Sequence, residues 1–219
     1  TYTINIDPGT VELYGGTYVA ERSTVIYGFG RNTALIIHGG SYTGATGAVY
    51  FDGGNLTIED GEFKATNSDA FALVIGDERT GVRNVELSGG TFKGIKAERA
   101  LSRLLKDGYS FKKTDGSWLT EAELAATSTT ETVTVAEKPL KSLTVKINDE
   151  AVEDSYRATI NEKLTFTVET DPANADATVT WSIISGTTVT SLTDGLYTPN
   201  KSGTYTLKCE AKKDGYTLT

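Results

Sequence analysis

The chain has 219 residues, room for one large domain or two ordinary ones, and its 23 glycines and 38% apolar content favour strands and turns over a helical core. One cysteine excludes an intrachain disulfide or thiolate cluster, and one histidine excludes a multi-histidine zinc site; neither a metal nor a cofactor is expected. A net charge of −8 argues against nucleic acid and anionic membranes as partners, and no apolar run approaches the roughly 20 residues that span a bilayer. Methionine is absent, which reads as a mature or excised segment.

The first half is organised by a repeat. Residues 11–20, 35–44, 56–65 and 85–94 align without gaps as apolar, any, apolar, any, Gly or Asp, Gly, polar, aromatic, any, small. Tyr18, Tyr42, Phe63 and Phe92 form the aromatic column, and Ala20, Gly44, Ala65 and Gly94 the small one. The second glycines are separated by 24, 21 and 29 residues. Alternation around each Gly predicts short strands with one buried face, and the shared second Gly predicts a sharp bend. Further strand-like runs at 23–27, 47–51 and 70–75 give each period enough strands for one turn of a coil. Stacked coils would place the four aromatic rings above one another inside. A twisted sheet of hairpins is the alternative, since Gly-Gly also marks hairpin turns. The common register of the four units favours coils, because a one-residue slip would turn the aromatic column outward.

After Gly94 the pattern changes. Ala97, Ala100, Leu101, Leu104 and Leu105 share one face of a predicted helix over 96–106, with Lys96, Arg99, Arg103 and Lys106 on its solvated side and Gly108 as its stop. Asp115-Gly116 predicts a turn before Trp118, which reads as packing within a lid, and Thr120-Glu121-Ala122-Glu123 carries a capping-box signature for a short second helix. Residues 126–131 read as a polar surface loop. The segment from about 96 to 136 is thus expected to be a helical and hairpin cap over the last coil, whose apolar cross-section needs a cover. The first coil has no comparable lid, so a preceding segment or another chain is expected to cover it.

A hinge is expected at Pro139, dividing domains 1–138 and 139–219. Beyond it, Leu143/Val145/Ile147, Leu164/Phe166/Val168, Val179/Trp181/Ile183 and Tyr205/Leu207/Cys209/Ala211 alternate with polar residues between turn signals such as Asp171-Pro172 and Asp194-Gly195. About seven short strands predict two packed antiparallel sheets, with Cys209 buried against Trp181 and Phe166 across the gap.

The first half resembles a right-handed parallel β-helix of the pectate-lyase-like superfamily, in the glycine-punctuated form of bacterial surface proteins. Residues 104–111 and 115–118 are similar to the segment that closes such helices. The second half resembles a bacterial immunoglobulin-like (Big-type) module at 171–175, 179–183 and 202–207. The resemblance implies an all-β chain, a short parallel β-helix followed by an immunoglobulin-like sandwich, within a secreted or wall-attached bacterial surface protein of several domains. Adhesion or glycan contact is the function it implies, with the sandwich as a spacer. Fold-level likeness fixes no activity by itself.

Parallel β-helices include polysaccharide lyases and hydrolases, so a small carbohydrate-active domain is the alternative. Glu59, Asp60 and Glu62 cluster, and Asp77-Glu78-Arg79 follows a strand, which are residue types for a glycosidase pair or a calcium site. A turn role is the simpler reading for Glu59 and Asp60, beside the Gly bend, and a solvated loop for 77–81. Four coils are also few for the long groove that a lyase uses. On the outward column with Tyr14, Glu59 and Ser88, His38 can pair with Glu59, but no nucleophile joins it. Tyr14, Tyr27 and Tyr50 are the candidate glycan-facing aromatics, if outward in adjacent coils.

Overall fold

The computed structural model describes residues 3–76, 82–171 and 177–219, without the side chains of residues 82 and 83. Two compact units divide the chain, residues 1–137 and 138–219. Both are built of strands.

Unit 1 is a parallel β-helix of about four turns. Its first coil comprises β1 (Ile4–Ile6), β2 (Gly9–Leu13) and β3 (Thr17–Ala20). The second comprises β4 (Thr24–Phe29), β5 (Thr33–Ile37) and β6 (Ser41–Gly44), and the third β7 (Gly47–Asp52), β8 (Gly54–Ile58) and β9 (Glu62–Ala65). Then follow β10 (Leu73–Ile75), β11 (Val82–Leu87) and β12 (Thr91–Ala97). Equivalent strands pair in parallel from coil to coil and make three walls: β1-β4-β7-β10, β2-β5-β8-β11 and β3-β6-β9-β12. Strand β12 serves two walls. Its start pairs with β9 in the fourth coil, and Ile95–Ala97 continue along β10 as the beginning of a fifth.

The aromatic column lies inside and stacks in register. Tyr18 faces Tyr42 at 5.0 Å between ring centroids, Tyr42 faces Phe63 at 5.1 Å, and Phe63 faces Phe92 at 4.7 Å, with interplanar angles of 9° or less. Tyr42, Phe63 and Phe92 are buried among Leu35, Ile37, Leu56, Ile58 and Leu87, and Tyr18 is half-buried at the first coil. Each tyrosine hydroxyl donates to a carbonyl at its own bend, Tyr18 to Gly15 at 3.1 Å and Tyr42 to Gly39 at 2.9 Å, so the ladder buries no unsatisfied hydroxyl. Burial pushes the Tyr42 phenol up to about 12. The second Gly of each unit turns the chain from the second wall to the third. Gly16, Gly40, Gly61 and Gly90 all have positive φ, between 95° and 130°. At Gly40 a Cβ would lie 2.9 Å from the Gly16 carbonyl oxygen of the coil before, so a side chain fails there on conformation and on space.

The cap differs from the predicted helix. Strand β12 runs to Ala97, and only a single 3-10 turn follows, Leu101–Leu104. The cause is pairing. Backbone groups of 95–97 bond to β10 on one side, and Ile95 and Lys96 are also opposed by antiparallel β14 (Ser128–Glu137) on the other. A helix from residue 96 would surrender those bonds. The apolar residues of the predicted face still point inward, with Leu101 and Leu104 fully buried, but Arg99 is 8% exposed rather than solvated. Residues 128–131, expected as loop, begin β14 because β-branched threonines opposite β12 complete its hydrogen bonding. Strand β13 (Tyr109–Lys113) pairs with the other edge of β14, and Phe111, Leu119, Val133 and Val135 fill the coil end. The short helix α1 (Glu121–Ala125) has the expected capping box: Thr120 Oγ1 accepts from the Glu123 amide, and the Thr120 amide donates to Glu123 Oε2. Trp118 is half-buried, with Lys112 Nζ 5.4 Å over its ring.

Unit 2 has two four-stranded antiparallel sheets. One contains β15 (Ser142–Ile147), β16 (Glu150–Ala151), β17 (Leu164–Asp171) and β20 (Leu196–Tyr197), in the order β16-β15-β17-β20. The other contains β18 (Thr178–Ser185), β19 (Thr188–Leu192), β21 (Thr206–Lys213) and β22 (Tyr216–Leu218), in the order β19-β18-β21-β22. Ile147, Leu164 and Phe166 of the first pack with Trp181, Ile183 and Cys209 of the second in one core, which makes a sandwich. The predicted turn at Pro172 lies outside the described residues.

Cys209 is buried as its strand alternation requires. Phe166 does lie on the opposing sheet, but Trp181 is the directly paired neighbour on β18 of the same sheet. Burial, with Glu210 adding to it, pushes the thiol up to about 11, so little thiolate exists at neutral pH. A thiol reagent is expected to label Cys209 slowly in native buffer and quickly in denaturant; fast labelling of the folded chain would mean the strand register is wrong.

Candidate functional site

The second wall ends at a corner where one residue per coil points outward just after its strand. The backbone repeats there from rung to rung: the His38 amide donates to the Leu13 carbonyl at 2.8 Å, Glu59 to Ile37 at 2.8 Å, and Ser88 to Ile58 at 2.9 Å. Tyr14, His38, Glu59 and Ser88 therefore form a column on the outer surface. Glu12, two residues before Tyr14 along the strand, shares its face.

These side chains are joined. The Tyr14 ring lies flat on the His38 imidazole, 4.5 Å between centroids at 13°. The Tyr14 hydroxyl donates to Glu12 Oε2 at 2.6 Å. His38 Nδ1 is 2.7 Å from Glu59 Oε2, and Nε2 is 3.7 Å from Glu12 Oε2. The hydrogen bond to Glu59 is the largest influence raising the His38 pKa above its ordinary value, against some desolvation. The bond from Tyr14 holds the Glu12 carboxyl below its usual range, and the same bond raises the Tyr14 phenol. Although one ring face is covered by His38, Tyr14 remains 75% exposed, so its other face is open to solvent.

Tyr27 and Tyr50 lie on the first wall. They pair across neighbouring coils within an outward line of Asn5, Tyr27, Tyr50, Val74 and Lys96. Their centroids are 5.3 Å apart at 28°, and Phe29 tilts against Tyr27 at 5.6 Å. Tyr27 is half-buried and Tyr50 is 36% exposed, so this pair offers less open aromatic surface than Tyr14.

The acidic candidates separate. Asp60 does serve the turn, accepting from the Gly61 amide at 2.8 Å, but Glu59 turns away to His38. Glu62 pairs with Lys64 at 2.8 Å. Asp77, Glu78 and Arg79 lie outside the described residues. Ser88 stands two rungs from His38, about 10 Å at the usual strand spacing, too far to act as its nucleophile. In the cap, Lys113 is held between Glu123 at 2.6 Å and Glu131 at 3.4 Å, and the hydrogen bond from Lys113, with the capping-box bonds from Thr120 adding to it, brings the Glu123 carboxyl down to about 2. Among the described residues no group of three His, Cys, Asp or Glu side chains is placed to hold a metal ion. No helix among them is long and apolar enough to cross a membrane.

Glu12 was the member of the corner cluster that the repeat alone did not single out. Its signal was available, because a residue two positions from Tyr14 on a strand must share its face.

No protein-family model matches this chain, and no curated protein and no solved structure matches it either.

Proposed function

We propose that the chain is a non-catalytic module of a secreted or wall-attached bacterial surface protein, of the adhesin type, whose unit 1 contacts glycans and whose unit 2 acts as a spacer. In this reading unit 1 is a small member of the pectate-lyase-like β-helices and unit 2 a Big-type immunoglobulin-like sandwich, supported by the parallel coils of one and the paired antiparallel sheets of the other. The observation that carries it is the Tyr14 face. A rigid aromatic surface, backed by His38 and pinned through its hydroxyl to Glu12, is what a sugar ring stacks on at little entropic cost. Carboxylate oxygens of Glu12 and Glu59 on either side supply acceptors for sugar hydroxyls.

The enzyme reading has less support at the same place. A glycosidase acid needs a carboxyl kept protonated near neutrality, whereas Glu12 is shifted the other way and Glu59 is engaged by His38.

A glycan-array screen beside a polysaccharide-degradation assay tests the proposal. Binding without product release is expected, and Tyr14→Ala should weaken it about tenfold, the scale of one aromatic stacking contact. Tyr27→Ala and Tyr50→Ala should weaken it less. Release of oligosaccharide, or binding indifferent to Tyr14, would refute the reading.

A further inference from the structure

We propose that His38 is a pH-operated clasp: its imidazolium bridges Glu12 of the first coil and Glu59 of the third, seats the Tyr14 ring, and lets go when the ring loses a proton. The inference is independent of whether Tyr14 meets a ligand.

The geometry sets the ring's needs. His38 belongs to the second coil and has an acid at each nitrogen, one from the coil on either side. A neutral ring with its proton on Nδ1 donates to Glu59 and aims the Nε2 lone pair at the Glu12 carboxylate. Nε2 is shielded from solvent and has no hydrogen-bond partner in that geometry. Two acceptors then face each other across 3.7 Å. A second proton converts the clash into a charge-assisted attraction and supplies Nε2 with a partner. Among the described residues, every charged group facing the ring favours that state. Glu12 comes from β2 and Glu59 follows β8, while Tyr14 adds a neutral phenol and Ser88, the next rung, is uncharged.

The sign follows from the direction of the shift. The folded-state value of His38 is raised above the ordinary 6.5. Stabilisation by the clasp is therefore complete below pH 6.5 and is lost as pH rises through the folded value. The chain contains one histidine, so no other side chain ordinarily titrates between about pH 6 and 9, and Cys209 waits until about 11. The amino terminus also titrates there, but it is common to every variant compared. Weakening of the clasp should loosen the first coil from the second and free the Tyr14 ring.

The solitary histidine makes the test direct. Its ring protons give one titration curve by NMR in the full 219-residue chain. A midpoint above 6.5 is expected, and Glu59→Gln should lower it. Amide exchange at His38, whose N–H bonds the first coil, should quicken from pH 6 to pH 9 beyond the intrinsic base-catalysed rate, and that excess should vanish in His38→Gln. A midpoint at or below 6.5, a midpoint unmoved by Glu59→Gln, or an excess that survives in His38→Gln would overturn the clasp.

Discussion

Replacing Phe63 by alanine should destabilise unit 1 by about 3–5 kcal/mol, the range for deleting a buried aromatic side chain from a core that relaxes poorly. Poor relaxation is built into this position. Phe63 is clamped between Tyr42 at 5.1 Å and Phe92 at 4.7 Å, and its backbone is paired to both neighbouring coils. The two rings cannot close the gap, since their separation is fixed by the strands that carry them. Two stacking contacts are lost together with the transfer energy of the ring. Denaturant unfolding of the isolated residues 1–137 and of the full chain should both show the loss. A cost below about 1 kcal/mol would mean that the ladder contributes little beyond filling space.

A second substitution acts through the backbone. In Gly54→Ala the added Cβ would lie 1.7 Å from the carbonyl oxygen of Thr33, at a residue whose φ is +75°. Neither partner can retreat, because Thr33 belongs to β5 and Gly54 opens β8, and these strands are paired. A loss of about 4 kcal/mol or more is expected, a large part of the stability of an ordinary domain. Gly116→Ala is the control. Its φ is +86° but nothing lies within 4 Å of the new Cβ, so only the conformational cost of about 1–2 kcal/mol remains. Equal losses in the two variants, read from thermal unfolding, would show that the close approach at Gly54 is relieved by a shift of the coil.

The coil architecture was legible because a solenoid writes its period twice, once in the inward residues and once in the bends. Tyr18, Tyr42, Phe63 and Phe92 share one register and Gly16, Gly40, Gly61 and Gly90 another, and each set demands the same stacking. The cap misled for a physical reason. Spacing such as Ala97, Leu101, Leu104 is apolar at helical intervals, yet residues 95–97 had strand partners that no local pattern announces, one of them more than thirty residues later in β14. Propensity lost to pairing. At the corner site, the column Tyr14–His38–Glu59 could be read as outward, but the ring stacking and the choice of Glu59 for His38 over the turn depend on side-chain directions set by three coils at once.

The antiparallel course of β14 has a consequence for how such chains aggregate. A parallel coil can template the next coil indefinitely, as a fibril end does. Strand β14 reverses direction against β12, and β13 covers its far edge, where the 117–119 segment returns along β13 through the Lys113–Ser117 and Leu119–Phe111 backbone bonds. A further parallel coil finds no matching donor and acceptor row there. Head-to-tail polymerisation needs two complementary open ends on every subunit. The cap thus removes the third wall as a template for head-to-tail stacking, and growth along that wall would need β14 and β13 to detach first.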